Sequence, residues 1–243
     1  MDNIRIPLIL TTISGLSTIL GAILIFIKVK KVNNILSFSL MFSATIMLGI
    51  SLTDLIPNAY SYFSRFYSIK FIILAILIGS IITFIIDEYM DYNKKTDNNN
   101  LYKIGIFSMI AIIIHNLPEG VITFMSSYNN LTLGISLTIA IACHNIPEGI
   151  SLSLPIYYST NSKKRALLYT FISGVSEPIG GLLIFLIFKK FLNDFILNFI
   201  LLIVAGMMIY LSLVKLLPEA IRQKNVKNMI LAIFIGIIIL LII

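Results

Sequence analysis

Eight apolar stretches, each long enough to cross a bilayer, use up nearly all of the 243-residue chain. They lie at roughly 7–27, 35–57, 69–86, 104–126, 131–155, 166–188, 195–217 and 228–243. In hydrocarbon every backbone N–H and C=O must find its partner inside the segment, so apolar stretches of about 20 residues become helices. The expected fold is therefore all-α: a polytopic membrane protein of eight transmembrane helices, forming a single transmembrane domain over 1–243 with the lipid bilayer as its solvent. Only 12% of residues are charged, about half the share in soluble domains. No length is left for a soluble catalytic domain.

The formal charge of +7 does not point to nucleic acid, because the basic residues sit in short loops between apolar spans. One side holds Lys28, Lys30, Lys31, Lys94, Lys95, Lys103, Lys163, Lys164, Arg165, Arg222, Lys224 and Lys227; the other holds Arg5, Arg65, Lys70, Lys189 and Lys190. The richer side is expected to be cytoplasmic, which puts both termini on the extracellular or periplasmic side of a cell (inner) membrane. No basic region precedes the first apolar run and no small-residue cleavage site follows it, so 7–27 reads as a retained helix. Cys143 is the single cysteine, which excludes an internal disulfide and any multi-cysteine metal cluster. The segment 87–103 is polar and without hydrophobic period, and reads as a flexible cytoplasmic linker.

Within this hydrocarbon, His115-Asn116-Leu117-Pro118-Glu119-Gly120 recurs as His144-Asn145-Ile146-Pro147-Glu148-Gly149. Ionisable groups at membrane depth are costly and mark pathways or bound ions. On a helix His115 and Glu119 stand at i and i+4, on one face, with Asn116 at i+1 beside them. Helices four and five run antiparallel, so the two copies together supply a His₂Glu₂ site and a neighbouring Asn₂Glu₂ site that share the glutamates. Pro118 and Pro147 each free a backbone carbonyl at the same depth. Glu177-Pro178, among the small residues of helix six, adds a third intramembrane carboxylate. Imidazole with carboxylate and no thiolate suits borderline divalent ions: zinc, iron, manganese, cobalt or cadmium. A weaker repeat pairs Ser51-Leu52-Thr53-Asp54-Leu55-Ile56-Pro57-Asn58-Ala59 of helix two with Ser212-Leu213-Val214-Lys215-Leu216-Leu217-Pro218-Glu219-Ala220 of helix seven. Helices one to three and six to eight then form inverted repeats around a central pair, a 3+2+3 plan of the kind used by secondary transporters.

The paired His-Asn-x-Pro-Glu-Gly motifs, the Glu-Pro of helix six and the eight-helix layout resemble the ZIP (ZRT/IRT-like) divalent metal transporters, particularly their prokaryotic branch, over essentially the whole chain. The resemblance implies His115, Asn116, Glu119, His144, Asn145, Glu148 and Glu177 as ligands of a paired metal site near the midplane. The stretch from Met47 to Asp54 looks like the family segment that contributes a methionine, which implies Met47 as a further ligand. It also implies import of divalent metal into the cytoplasm by an elevator-like slide of helices one, four, five and six against two, three, seven and eight, within a homodimer. Two departures stand out: the 87–103 segment is not histidine-rich, and some members carry an acidic residue where Asn145 stands. No phosphate-binding glycine loop is present, so ATP is not expected as a partner.

The rival reading is a membrane-embedded metallohydrolase, since His and Glu at i,i+4 is also ligand spacing in hydrolytic zinc sites. A catalytic site needs an open coordination position, which this many ligands would fill. On helix seven, Lys215 and Glu219 are spaced for an i,i+4 ion pair.

Overall fold

The computed structural model describes residues 4–26, 32–95, 101–188 and 193–242, and all regular structure among them is helical. The eight expected rods are present. α1 is Arg5–Ala22, closed by a 3₁₀ turn at Ile23–Phe26. α2 is one rod in three sections: α-helix Val32–Ile50, a π turn Ser51–Leu55, and α-helix Ile56–Phe63. α3 is Ile69–Lys95, α4 Leu101–Asn129, α5 Leu131–Thr160 and α6 Lys163–Phe188. α7 again has three sections, Asp194–Tyr210, a π turn Leu211–Leu216 and Leu217–Arg222, and α8 is Val226–Ile242. Seven of the rods are long and apolar enough to span a bilayer, and α8 follows at 17 residues.

The polar segment after the third apolar stretch is shorter than its composition suggests. α3 runs on to Lys95 and α4 begins at Leu101, while 96–100 lie outside the described residues. A helix already nucleated in the bilayer extends into water one hydrogen bond per residue.

Both π turns end one residue before the dipeptide that carries a proline, Pro57 and Pro218, whose missing N–H forbids the ordinary register. The N–H of Ile56 bonds Ser51 O and that of Leu217 bonds Ser212 O, each five residues back. Each buried serine also turns its hydroxyl on the methionine carbonyl one turn earlier: Ser51 on Met47 O at 2.8 Å, Ser212 on Met208 O at 2.7 Å. The weak repeat is thus a structural one, carried on rods of opposite direction. A second copy joins α1 to α6. Thr11, Ile13, Ser14, Gly15, Ser17 and Gly21 match Thr170, Ile172, Ser173, Gly174, Ser176 and Gly180 at one constant spacing. Glu177 falls where α1 has Thr18.

The π turn also settles the Lys215 pairing. It widens the turn that would bring Lys215 over Glu219, and the expected i,i+4 pair does not form. Lys215 Nζ instead meets Asp87 Oδ2 of α3 at 2.7 Å, and Tyr210 OH donates to the same oxygen at 3.1 Å. Glu219 accepts from Arg222 Nη1 at 3.2 Å and Gln223 Nε2 at 3.0 Å. Asp87→Asn removes the charge that both donors share. It is expected to cost about 1–2 kcal/mol, since the pair is part-exposed, and to lower the detergent unfolding temperature.

Packing divides the rods into two sets. α1, α4, α5 and α6 meet through glycines, with Gly15 against Gly174, Gly120 against the Glu177 backbone and Gly149 against the Thr18 backbone. α3 lies on α7, where Ser80 Oγ donates to Gly206 O at 2.9 Å, and α2 lies on α8. The largest apolar cluster, including Met41, Ile46, Met47, Leu137, Val204 and Met208, joins α2 and α7 to α5.

Candidate metal centre

The two hexapeptides meet where α4 and α5 cross. His144 Nε2 lies 3.0 Å from Glu119 Oε2, and the reciprocal pair, His115 Nε2 and Glu148 Oε1, lies at 3.3 Å. His115 Nε2 is also 3.1 Å from Glu119 Oε1 within its own helix. Each imidazole therefore faces the other copy's carboxylate, as an approximate two-fold axis through the cluster requires. His144 and Glu119 are fully enclosed, while His115 and Glu148 keep 9% and 8% of their surface exposed.

The carboxamides engage the neighbouring helices. Asn145 Nδ2 donates to Ser14 O of α1 at 2.8 Å, and Asn116 Nδ2 donates to Ser173 O of α6 at 3.3 Å, the two-fold mate of that bond. Glu177 breaks the symmetry. Its Oε2 accepts from Ser14 Oγ at 2.6 Å and its Oε1 from Asn145 Nδ2. Ser173 Oγ, the mate of the Ser14 hydroxyl, has no partner among the described residues, because Thr18 stands where a second carboxylate would be.

Buried polar groups are almost always paired, so the unpaired ones here are informative. Asn116 Oδ1, Asn145 Oδ1, Glu119 Oε1 and Glu148 Oε2 are buried without a hydrogen-bond partner among the described residues, as are His115 Nε2 and His144 Nδ1. His115 Nε2 sits near both carboxylates without the alignment of a hydrogen bond. These are electron-pair donors clustered in one small region. One ligand atom each from His115, His144 and Glu148 lie within 4.8 Å of one another. Nitrogen and oxygen ligands of one tetrahedral zinc ion stand about 3.4 Å apart, so side-chain shifts of about an ångström would close them on a metal.

Met47 and Glu177, expected as ligands alongside the hexapeptides, are placed differently from them. Met47 is fully buried in the apolar cluster, and Ser43 Oγ reaches both its Sδ at 3.8 Å and His144 O at 3.5 Å. That sets the thioether beside the His144 turn. Glu177 is at the hexapeptides' depth, but both its oxygens are engaged by α1 and α5. Ser14 has no counterpart among the residues that sequence motifs single out. Only the α1–α6 repeat, matched to the Glu177 helix, signals it. Cys143 is half-buried and packs against the apolar cluster.

Cavities approach the centre from both faces. On the face of the chain termini a vestibule of about 370 Å³ is lined by Asn58, Ser126, Asn130 and Asp194 among others. Between it and Glu119, the side chains of Ile50, Leu55, Ile122, Leu137, Val204 and Met208 leave no water-sized space. On the opposite face a cavity of about 420 Å³ is lined by Ser151, Tyr158 and Glu219 among others. Ser151 is three residues beyond Glu148 and donates to its carbonyl at 2.8 Å. The centre is thus sealed from the vestibule and nearest to solvent through His115 and Glu148.

Comparison with known proteins agrees with this geometry. The profile of the family described as ZIP Zinc transporter matches residues 93–243. The chain is 38% identical over 240 residues to the zinc transporter ZupT of Oceanobacillus iheyensis, covering 90% of each protein. It is 40% identical over 239 residues to that of Chlorobium luteolum, again covering 90% of each. With the one of Clostridium perfringens it shares 36% over 251 residues, covering 90% of this chain and 88% of the relative. The family profile takes in both hexapeptides and the Glu-Pro of α6, the relatives match along nine-tenths of the chain, and the chain belongs to the ZIP family of zinc transporters.

Proposed function

We propose that this chain imports divalent transition-metal ions, zinc foremost, through the centre between α4 and α5. The observation that carries the reading is the duplicated His/Asn/Glu cluster, buried at the crossing of two membrane helices with its donor atoms unpaired among the described residues. His115, His144, Glu119 and Glu148 hold the ion at the two-fold axis. Asn116, Asn145 and Glu177 complete the neighbouring position, and Met47 stands by the first. The relatives are named as zinc transporters, so the metallohydrolase reading gives way.

The asymmetry of the two faces describes one state of the cycle. With the lysine-rich loops cytoplasmic and both termini outside a cell (inner) membrane, the vestibule faces outward and is shut, and the centre opens inward past Glu148. Transport requires a second state in which the apolar seal opens. The set of α1, α4, α5 and α6 sliding against the rest, within a homodimer, accomplishes this while leaving its own glycine contacts intact. Iron, manganese, cobalt and cadmium share the ligand preferences and are expected as competing cargo.

Initial-rate uptake of radiolabelled zinc into proteoliposomes is expected to saturate with zinc. Stable, metal-binding protein that transports nothing would overturn the reading. Orientation has its own test. In a Cys143→Ala background, a cysteine at Ser162 is expected to resist a membrane-impermeant thiol reagent in intact cells and react after permeabilisation. A cysteine at Asn193 is expected to react in intact cells.

A further inference from the structure

Ser14 has no place in the family motif, yet it touches two groups of the centre at once. It is fully buried on α1, and its hydroxyl oxygen is 2.6 Å from Glu177 Oε2. Its carbonyl oxygen accepts from Asn145 Nδ2, which in turn donates to Glu177 Oε1. The carboxylate of α6 is therefore gripped at both oxygens by groups that Ser14 either owns or orients. A carboxylate has about four lone-pair positions, so about two remain for a metal ion.

The two-fold mate shows that this grip is specific to Glu177. Ser173 occupies the position on α6 that Ser14 occupies on α1, and accepts from Asn116 as Ser14 accepts from Asn145. With threonine at position 18 its hydroxyl finds nothing to bond among the described residues. Ser14 also has a second acceptor, Thr11 O at 3.0 Å in its own helix. The contact to Glu177 is the shorter of the two.

We propose that Ser14 is a positioning residue for metal binding: it fixes the rotamer of Glu177 so that the free face of the carboxylate points at the transported ion. The inference rests on the reading above that Glu177 is a ligand. Outer groups that orient a metal ligand typically change affinity by about 10–100-fold when removed. Ser14→Ala deletes the donor and orphans no other group, because Thr11 O keeps its helical partner. Binding is weakened with the translocation step unaltered, so KM for zinc uptake rises while the maximal rate holds.

The test is zinc uptake into proteoliposomes by the parent, Ser14→Ala, Ser14→Thr, Glu177→Gln and the Ser14→Ala, Glu177→Gln double variant. It is combined with the zinc-induced rise in Tm of each detergent-solubilised protein. The expected result is a KM about tenfold higher for Ser14→Ala with a maximal rate within about twofold, and a smaller zinc-induced rise in Tm. Ser14→Thr, which keeps the hydroxyl, restores both, and Ser14→Ala adds nothing in the Glu177→Gln background. A lower Tm without zinc but an undiminished zinc-induced rise would assign Ser14 a purely structural role and overturn the proposal. So would a lower KM, which would mean that Ser14 holds Glu177 away from the ion. Parent-like KM in Ser14→Ala beside defective Glu177→Gln would sink the proposal and leave the ligand reading standing. Parent-like uptake by Glu177→Gln would overturn the ligand reading itself. If Ser14→Ala does not fold, Ser14→Cys, which keeps the volume but is a weak donor, decides in its place: its KM must rise toward that of Glu177→Gln while Ser14→Thr keeps the parent value, and a parent-like KM in Ser14→Cys overturns the proposal.

Discussion

Zinc uptake by a Glu119→Gln variant is expected to fall by about two orders of magnitude or more. Glu119 is 1% exposed and, among the described residues, is the one carboxylate that meets both imidazoles, at 3.1 Å from His115 and 3.0 Å from His144. The substitution keeps shape and volume but removes the charge. Even groups that only orient a metal ligand change affinity by about 10–100-fold when removed, and losing a carboxylate shared by both imidazoles is expected to reach the upper end of that range or beyond. An amide oxygen is a far poorer ligand than a carboxylate for a divalent ion, so the loss falls on metal binding. Isothermal titration with zinc on purified protein, beside uptake, locates the effect. Lost binding with a parent-like melting curve is the expected pattern. Uptake within about tenfold of the parent would mean that the ion does not pass between the two hexapeptides.

The second large effect comes from a residue that binds nothing. Gly120→Ala adds one carbon to a helix, and helix propensity alone would make it stabilising by about 1 kcal/mol. Packing gives the opposite sign. A β-carbon at position 120 falls inside the contact distance of the Glu177 carbonyl, which is backbone and cannot rotate away. α4 and α6 would have to separate at the level of the metal centre. Overpacking of this kind costs about 1–3 kcal/mol and sometimes more, and here it also displaces Glu177. Gly149→Ala does the same against the Thr18 backbone of α1. Both variants are expected to unfold at lower temperature in detergent and to lose uptake. A Gly120→Ala protein that melts higher than the parent would show that the helices have slack at this crossing.

Hydrocarbon leaves a chain few choices, so apolar length alone places eight helices. The folded protein differs at their ends, as with α3 running on to Lys95, and in the π turns inside α2 and α7. The duplicated hexapeptides are legible because a polar group at membrane depth is expensive, and i,i+4 spacing forces His115 and Glu119 onto one face. Spacing within a helix is local geometry, and sequence carries it.

What lies beyond the sequence depends on distance across the fold. The pairing of each histidine with the other copy's glutamate follows from the crossing of α4 and α5, which no local pattern encodes. The grip of Ser14 on Glu177 joins residues 163 positions apart, and it is hidden because a serine in a membrane helix usually bonds its own turn. Lys215 turns to Asp87 rather than Glu219 because the π turn before Pro218 changes which residues share a face. The closed seal above Glu119 is likewise a property of side chains packed together from separate rods. Solvent and helical period determined the elements and the candidate donor groups from the sequence by itself. Tertiary contact decided which of those groups meet, which are held, and which face of the centre is open.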